Sequence, residues 1–404
     1  MAYKDIRISS FNLSPQELNS LYEKRINDDA TIKLDFKVNK YQSFVVVNSE
    51  LLKIISKVYQ IDKKLSLLSN DLPGNALDNF VVNSMIDEIQ QSNEVENVQS
   101  TKKEIKDAYQ AVNKGNLKKR FASMVKKYLV LESDENIPLS SCQDIRNLYD
   151  EFILDEVLRE DPNDKPDGDY FRKEKVNVKN SHNEIIHEGL YPESNIIITM
   201  NSALSILNND DYDILIRVAL FHYFFGYIHP FYNGNGRMDR FISSYMFSKF
   251  FSKAACFRIS YVIKQNRNKY YELFKNANDK RNRGELTEFV MGYLSFFKEA
   301  LEETYNTLEQ KQMLYHEYEG ILDKWFKDRK LSVSQKVFFR ILLQSKLFGD
   351  SNIDISDAAN IMECSQKTAR KILSESGSLV YFTKAGRKQI WHLDLNHLSS
   401  LGVE

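Results

Sequence analysis

The stretch HPFYNGNGRMDR, from His229 to Arg240, separates two segments that have the apolar spacing of helices. The preceding segment, DYDILIRVALFHYFFGYI, is almost continuously apolar, and the following one reads GRMDRFISSYMFSKFF. Because proline is not tolerated in a helix interior, Pro230 predicts that the first helix ends near Ile228. The second helix is expected to begin between Asn235 and Arg237, which places His229 at the mouth of a short loop.

This loop has the residue types of an anion-binding site. Gly234 and Gly236 permit backbone angles that other residues resist. The first N–H groups of the following helix have no partner inside it, and together with the helix dipole they attract anions. Arg237 adds a planar cation suited to phosphate oxygens, and Arg240 lies one turn later on nearly the same face. The pattern predicts a phosphate site with a histidine base beside it.

Two familiar kinds of phosphate site and a metal site are less consistent with the sequence. No GxxxxGK[ST] motif occurs, and Asp239 stands where a dinucleotide fingerprint requires its third glycine. A metal hydrolase would need His222 with His229, or His182 with His187. Their i,i+7 and i,i+5 spacings suit neither one helical face nor one hairpin face, and no HExxH motif supports them.

Length and composition indicate a globular protein of more than one domain. The chain has 404 residues, and a single core rarely grows beyond about 250–300 residues. Apolar residues make up 42 % of the sequence, which is enough to form sizeable cores. The formal net charge of −1 gives no overall attraction to nucleic acid or to a membrane, although a local basic patch is compatible with it.

Cysteine usage and hydropathy favour a cytoplasmic protein. The three cysteines are far apart in the sequence and form no CxxC pair, so a reducing compartment fits best. The beginning, MAYKDIRISSFNLS, lacks the apolar core of a signal peptide. The most apolar stretch is interrupted by Arg217, His222 and His229, so we interpret it as a buried helix and expect no membrane contact.

Gly and Pro are scarce and helix formers abundant, which predicts a mainly α protein. One exception is KVNVKNSHNEIIHEGLYP, which alternates around a polar centre and indicates a β-hairpin. The tail changes character. SVSQKVFFRILLQSK reads as a helix, ISDAANIMECSQKTARKILSES as helix, turn and helix, and LVYFTKAGRKQIWHLD as two strands. That order is typical of a winged helix-turn-helix domain.

The motif HPFYNGNGRMDR resembles the signature of the Fic family, HPFx(D/E)GNGRxxR, at all but one of its fixed positions. FRKEKVNV and the hairpin after it resemble the flap of that family, and NRNKYYELF resembles its nucleotide-side helix. The resemblance covers roughly Phe171 to Phe297. It implies a Fic-type helical bundle with a β-hairpin flap, followed here by the winged-helix module. We expect domain boundaries at 1–120, a helical region with an inhibitory motif; 121–303, the catalytic core; 304–331, a connecting helix; and 332–404, the winged helix.

The family mostly transfers AMP from ATP to a hydroxyl group of a target protein. The resemblance implies that His229 takes the proton of an incoming Ser, Thr or Tyr hydroxyl. The backbone of Asn235 and Gly236 would hold the α- and β-phosphates, and Arg237 and Arg240 the distal phosphates. Positioning and charge neutralisation provide most of the catalysis in such a transfer.

Three further roles follow from the resemblance. The flap hairpin, Val176 to His187, would hold the target segment in extended form by strand addition. Tyr270 or Tyr271 would pack on the adenine, or both are ordinary helix core. Position 233 is the one departure from the motif, because Asn233 replaces the acid that usually anchors Mg²⁺ between the phosphates. We therefore expect weaker metal binding, and slow or altered transfer.

The upstream sequence SNEVEN, Ser92 to Asn97, resembles the family's inhibitory motif (S/T)xxxE(G/N). Glu96 would pair with Arg240 and occupy the place of the γ-phosphate. Ser92 would stabilise the inhibitory helix through a local hydrogen bond. In some family members this Glu instead supports hydrolytic removal of AMP, and the sequence does not separate the two directions.

The sequence thus predicts an auto-inhibited protein adenylyltransferase that uses ATP and Mg²⁺, with self-modification and a homodimer left open. The alternative is a winged-helix DNA-binding regulator with a nucleotide-sensing or de-AMPylating Fic core. Its DNA contacts, or those of a protein partner, would come from the second helix and the hairpin of the tail. The candidate residues are Ser365, Lys367, Thr368, Arg370, Lys384, Arg387 and Lys388.

Overall fold

The structure is a computed structural model that describes residues 3–133, 135–179, 185–327, 329–349, 353–386 and 388–401. Its chain forms two compact units. The first comprises Met1–Lys63 and Met85–Glu302, and the second Lys64–Ser84 and Glu303–Glu404. The predicted domain boundaries stay a prediction.

The described chain is mainly helical, as predicted. Its helices are α1 (Ile6–Ser9), α2 (Pro15–Ile26), α3 (Ser49–Asn70), α4 (Ala76–Val95), α5 (Lys102–Val112), α6 (Ala122–Val130), α7 (Cys142–Phe152), α8 (Leu154–Glu160), α9 (Glu193–Leu207), α10 (Ile214–Ile228), α11 (Asn235–Ser248), α12 (Lys253–Cys256), α13 (Ile259–Gln265), α14 (Arg267–Asn278), α15 (Thr287–Lys327), α16 (Val333–Phe348), α17 (Ile355–Ile361), α18 (Gln366–Glu375) and α19 (Leu395–Leu401). The strands are β1 (Thr31–Val38), β2 (Tyr41–Val46), β3 (Asn177–Lys179), β4 (Ile185–Glu188), β5 (Val380–Ala385) and β6 (Lys388–Leu393).

The core of the first unit is built around α10. This helix is apolar on nearly all sides, and all but one of its residues are buried between its neighbours. It packs against α9 and α11, its partners in the chain before and after it. The predicted ends of the two central helices are confirmed, since α10 stops at Ile228 and α11 starts at Asn235.

Each pair of strands forms a two-stranded antiparallel sheet. The sheet β3–β4 is the predicted hairpin, and its tip at 180–184 lies outside the described residues. The sheet β1–β2 was not predicted. Its Phe36 stacks on Phe224 of α10 with ring centroids 3.8 Å apart, so this hairpin covers one side of the core.

The C-terminal elements have the predicted order: a helix, α16, then the pair α17 and α18, then the sheet β5–β6. Ser332, Asp354 and Ser365 cap the three helices with side-chain oxygens, which explains where each helix begins. The main chain before α17 also bonds to β6, because Trp391 donates its N–H to the Ile353 carbonyl over 2.9 Å. The assignment of these elements to the winged-helix class stays a prediction.

None of the described helices combines the length and the apolar character that crossing a membrane requires.

Candidate active site

A cavity of about 90 Å³, partly open to solvent, lies where α10 meets α11. Its walls come from the two central helices, the flap hairpin, α14 and the end of α4. The lining residues are Glu96, Val178, His187, Gly226, His229, Asn235, Gly236, Asp239, Tyr270, Tyr271, Phe274 and Asn278.

His229 faces this cavity from the C-terminal end of α10. It has a left-handed backbone with φ of 51°, and its N–H donates to the Phe225 carbonyl over 2.9 Å. Its own carbonyl accepts a bond of 2.9 Å from Nε of Arg172, a fully buried residue at the base of the flap. Burial lowers the pKa of His229 to about 3, and the nearby Arg172 and His187 add to the shift. The imidazole is therefore neutral at pH 7 and able to accept a proton.

The loop between the helices is fixed by its own side chains. Gly234 has φ of 80°, a conformation that L residues resist, and stands directly before α11. The Asn235 side chain accepts from the Phe231 N–H over 2.9 Å and donates to the Phe231 carbonyl over 2.8 Å. These two bonds close the loop, so the first N–H groups of α11 are held in place.

Arg240 is fully buried, and all three of its guanidinium nitrogens donate to Ser92 or Glu96, in the segment predicted to be inhibitory. Its Nη1 donates to Glu96 Oε1 over 2.9 Å, Nε to Ser92 Oγ over 3.1 Å, and Nη2 to the Ser92 carbonyl over 2.8 Å. The structure thus brings Glu96 to Arg240. It places the Ser92 hydroxyl on Arg240 as well, a contact that the prediction of a local hydrogen bond did not include.

The Glu96 carboxylate lies directly over the start of α11. A Cβ added to Gly236 would be only 2.1 Å from Glu96 Oε1, so only a glycine allows this approach. Burial is the largest single influence on the pKa of Glu96 and raises it, but the charge and hydrogen bond of Arg240, together with the charges of Arg237 and His229, lower the pKa overall. The side chain is therefore an anion at neutral pH, held where helix N–H groups and an arginine converge.

Arg237 has a different environment from the one predicted. Its guanidinium is fully buried and forms two bonds with Glu160, from Nη1 to Oε1 over 2.6 Å and from Nη2 to Oε2 over 2.8 Å. It does not belong to the cavity lining. Its role in binding distal phosphates stays a prediction. Both terminal nitrogens of the guanidinium already donate to Glu160.

Asn233 was the candidate metal ligand. Its Oδ1 already accepts from the Gly234 N–H over 2.6 Å and from Arg237 Nη2 over 3.4 Å. Its Nδ2 donates to Glu160 over 3.2 Å and to Asp164 over 3.1 Å. A carbonyl oxygen has two lone pairs, and both are in use, so this side chain does not fit a directly bound ion here. Among the residues described, no group of three or more His, Cys, Asp and Glu is arranged to hold a metal.

Tyr270 and Tyr271 both line the cavity, as the adenine prediction requires. The Tyr270 hydroxyl is 2.8 Å from Nε2 of the buried His222, whose Nδ1 lies 3.0 Å from Ser243 Oγ and 3.2 Å from Asp239 Oδ1. His222 is therefore part of the packing beneath the cavity. It is not paired with His229 as a metal hydrolase would need. His187 is bonded to the Tyr227 carbonyl over 2.6 Å, and His182 lies outside the described residues.

Two residues of this site were missed at the level of sequence, Arg172 and Glu160. Arg172 lies in FRKEKVNV, which the resemblance marked only as flap. Glu160 lies in a segment of mixed charge, LDEVLRE, where nothing distinguishes one carboxylate from its neighbours.

The assembled site places a neutral imidazole beside a helix start that attracts anions. Such a site can bind a phosphate group and accept a proton from a nucleophile near it.

Comparison with known proteins agrees with this geometry. Residues 139–247 match the Fic/DOC family. A Fic family protein from Desulfovibrio desulfuricans G20 has a similar fold, with a TM-score of 0.55, 18 % identity, and coverage of 88 % of this chain and 98 % of that one. Fic-1 (residues 134–508) from C. elegans is 13 % identical over 74 % of this chain and 79 % of that one, with a TM-score of 0.44. Fic domain proteins are generally nucleotidyl transferases that use ATP, usually with a divalent metal. Residues 139–247 of this chain, which contain His229 and the start of α11, therefore form a domain similar to those of the Fic/DOC family.

Proposed function

We propose that this chain is an auto-inhibited protein adenylyltransferase, which transfers AMP from ATP to a Ser, Thr or Tyr hydroxyl of a protein. The observation that carries the proposal is the position of the Glu96 carboxylate. It lies between the start of α11 and Arg240. A terminal phosphate at that position would, like the carboxylate, be an anion that accepts hydrogen bonds.

In the proposed reaction, the hydroxyl oxygen attacks the α-phosphorus of ATP and forms a new P–O bond. The bond from that phosphorus to the oxygen that bridges to the β-phosphate breaks, and pyrophosphate leaves. His229 accepts the proton of the hydroxyl. Its low pKa makes it a weak base in the empty site, and the negative charge of a bound nucleotide raises that pKa towards a more effective range.

The remaining residues bind and orient. The N–H groups at the start of α11 and the Arg240 guanidinium neutralise the phosphates, once Glu96 has withdrawn. Tyr270 and Tyr271 form the cavity wall on which a nucleobase packs. A divalent metal, when bound, would supply further charge neutralisation on the phosphates, and no step above depends on it.

Substitutions of Glu96 and His229 test the proposed AMP transfer. Glu96→Gly frees Arg240, so AMP incorporation from ATP rises by about tenfold or more over wild type, since a difference of about 1.4 kcal/mol corresponds to a factor of ten. Adding His229→Ala to Glu96→Gly abolishes incorporation. Intact-mass measurement after incubation with ATP and Mg²⁺ detects one added AMP for each modified site.

Glu94→Gly is the matched control. Glu94 lies two residues before Glu96 and pairs with Lys264. The hydrogen bonds of Arg240 go to Ser92 and Glu96 and not to Glu94. This variant is expected to label like wild type. Equal labelling of wild type and Glu96→Gly, with both proteins folded, would contradict inhibition by Glu96.

The C-terminal elements favour a second function, DNA binding by a regulator whose nucleotide site acts as a sensor. The start of α18 presents exposed polar and basic side chains, among them Lys367, Thr368 and Arg370. Lys384 and Lys388 of the adjacent hairpin line a groove with Arg370. Arg387, also predicted to contact DNA, lies outside the described residues.

A further inference from the structure

Glu160 and Arg237 form an ion pair near the cavity, and the proposed reaction does not use it. The Arg237 side chain has no solvent exposure, and that of Glu160 is 22 % exposed. A buried guanidinium without a partner is strongly destabilising, so Arg237 requires the carboxylate. The two parallel bonds of 2.6 and 2.8 Å also fix the direction of the guanidinium plane.

This pair is joined to the anion-binding loop through Asn233. The amide nitrogen donates to Glu160 and to Asp164, while the amide oxygen accepts from the Gly234 N–H and from Arg237. The Asn233 carbonyl in turn accepts a bond of 3.1 Å from the Tyr149 hydroxyl. The loop is therefore tied to α8 and to the 3-10 turn after it.

The choice of an amide at position 233 follows from these contacts. Two carboxylates, Glu160 and Asp164, approach the same nitrogen atom. A carboxylate at 233 has no hydrogen to donate and would face both of them as a third negative charge. An amide is the side chain that can donate to the two acids and still accept from the loop and from Arg237.

We propose that Glu160 is a positioning residue for the nucleotide site, which acts through Arg237 and Asn233 to hold the start of α11 in its anion-binding geometry. The inference rests on the proposed function, because it assumes that this helix start binds the phosphates of ATP. Glu160 of α8 supplies the negative charge that Arg237 needs. Because Glu160 and Asp164 both approach the side chain at position 233, that position requires an amide that can donate to them.

The test is a charge exchange between positions 160 and 233. Calorimetric titration with ATP in EDTA measures the loop without any contribution from metal. The parent is full-length Glu96→Gly with His229→Ala, which has an open site and no turnover. Glu160→Gln and Asn233→Asp, each added singly, are expected to weaken ATP binding by roughly tenfold, the scale of one lost charge-assisted hydrogen bond.

The double variant Glu160→Gln with Asn233→Asp restores complementarity between these two positions, while Asp164 still faces the acid at 233. An acid at 233 can accept from Arg237 Nη2, which already lies 3.4 Å from Asn233 Oδ1, and an amide at 160 can donate to that acid. Its affinity for ATP is expected to lie between that of the weaker single variant and that of the parent. Asp150→Asn is the control, because it removes a carboxylate paired with Arg146 on the neighbouring helix α7 and should leave ATP binding unchanged.

Three results would overturn the inference: unchanged or tighter binding by Glu160→Gln, unchanged binding by Asn233→Asp, or a double variant as weak as the weaker single one. If Glu160→Gln does not fold, Glu160→Asp takes its place, since it keeps the charge but withdraws it by one methylene. Unchanged binding by that variant would overturn the inference as well. Failure of the parent to bind ATP would refute the proposed function itself, and this inference with it.

Discussion

Arg240 illustrates how single residues control this site. A guanidinium with no exposure to solvent must have its charge compensated, and here the partners are Ser92 and Glu96. A nucleotide can offer the same compensation with a phosphate, and under the proposed function the two anions would compete for one position. His229 lies beside that position with its proton-accepting form secured by burial and by Arg172. Both roles depend on burial, which makes individual charges here far more effective than they would be in water.

Glu88 is a second buried acid on the same helix as Ser92. It has no solvent exposure and accepts bonds from the Ser260 N–H and hydroxyl. Burial raises its pKa to about 7, although Ser260 and Arg240 oppose the shift. Because the pKa in the folded state lies above that in the unfolded state, the native protein takes up the proton more readily. The stabilisation by this group is complete below about pH 4.5 and is lost as the pH rises through 7.

We therefore predict that Glu88→Gln changes the pH dependence of stability. Relative to wild type, the variant gains in free energy of unfolding as the pH rises from 5 to 8, by at most about 3 kcal/mol. Thermal unfolding at several pH values measures the difference, with Glu94→Gln as the control on the same helix. A difference between Glu88→Gln and wild type that does not vary with pH would contradict the assignment.

At the scale of elements, α4 and the turn after it supply the side chains that contact Arg240. Glu88, Ser92 and Glu96 are spaced by four residues, so they project from the same side of the chain at the end of α4. Glu96 follows the last helical turn, and Asn97 then takes a left-handed conformation with φ of 59°. The carboxylate that contacts Arg240 therefore lies just beyond the end of the helix.

The elements α17, α18 and β5–β6 give a prediction of their own. If they dock on DNA, Lys367→Ala and Arg370→Ala each weaken binding in a gel-shift assay, and affinity falls steeply between low and high salt because phosphate contacts release counterions. Lys324→Ala on α15 is the control and should have no effect. No binding, or binding that is insensitive to salt and to both substitutions, would contradict docking of these elements on DNA.

Sequence patterns recovered some elements and not others, for physical reasons. The ends of α10 and α11 were predictable because Pro230 is not tolerated in a helix interior and Gly234 permits the left-handed backbone from which α11 begins. The strand Tyr41–Val46 was not, because a short apolar run is ambiguous between helix and strand until its partner is known. Here the partner is β1, which itself packs on α10.

At the scale of the whole molecule, the chain divides into one unit that contains the candidate site and another that contains the C-terminal helices and hairpin. The helix α15 supplies residues to both. Long-range pairs within the first unit, such as Glu160 with Arg237, carry no sequence signal, because contact between residues so distant in the chain is decided by packing. The contact of Glu96 with Arg240 was predictable only because the two positions belong to motifs.

The central claim is that Glu96 stands in for a phosphate of the nucleotide. A crystal structure of full-length Glu96→Gly with a non-hydrolysable ATP analogue tests it most directly. We predict that the terminal phosphate bonds to the Arg240 guanidinium, that the inner phosphates lie on the N–H groups of Asn235 and Gly236, and that the His229 ring faces the α-phosphate. An analogue whose phosphates make no contact with residues 235–240 would contradict the account.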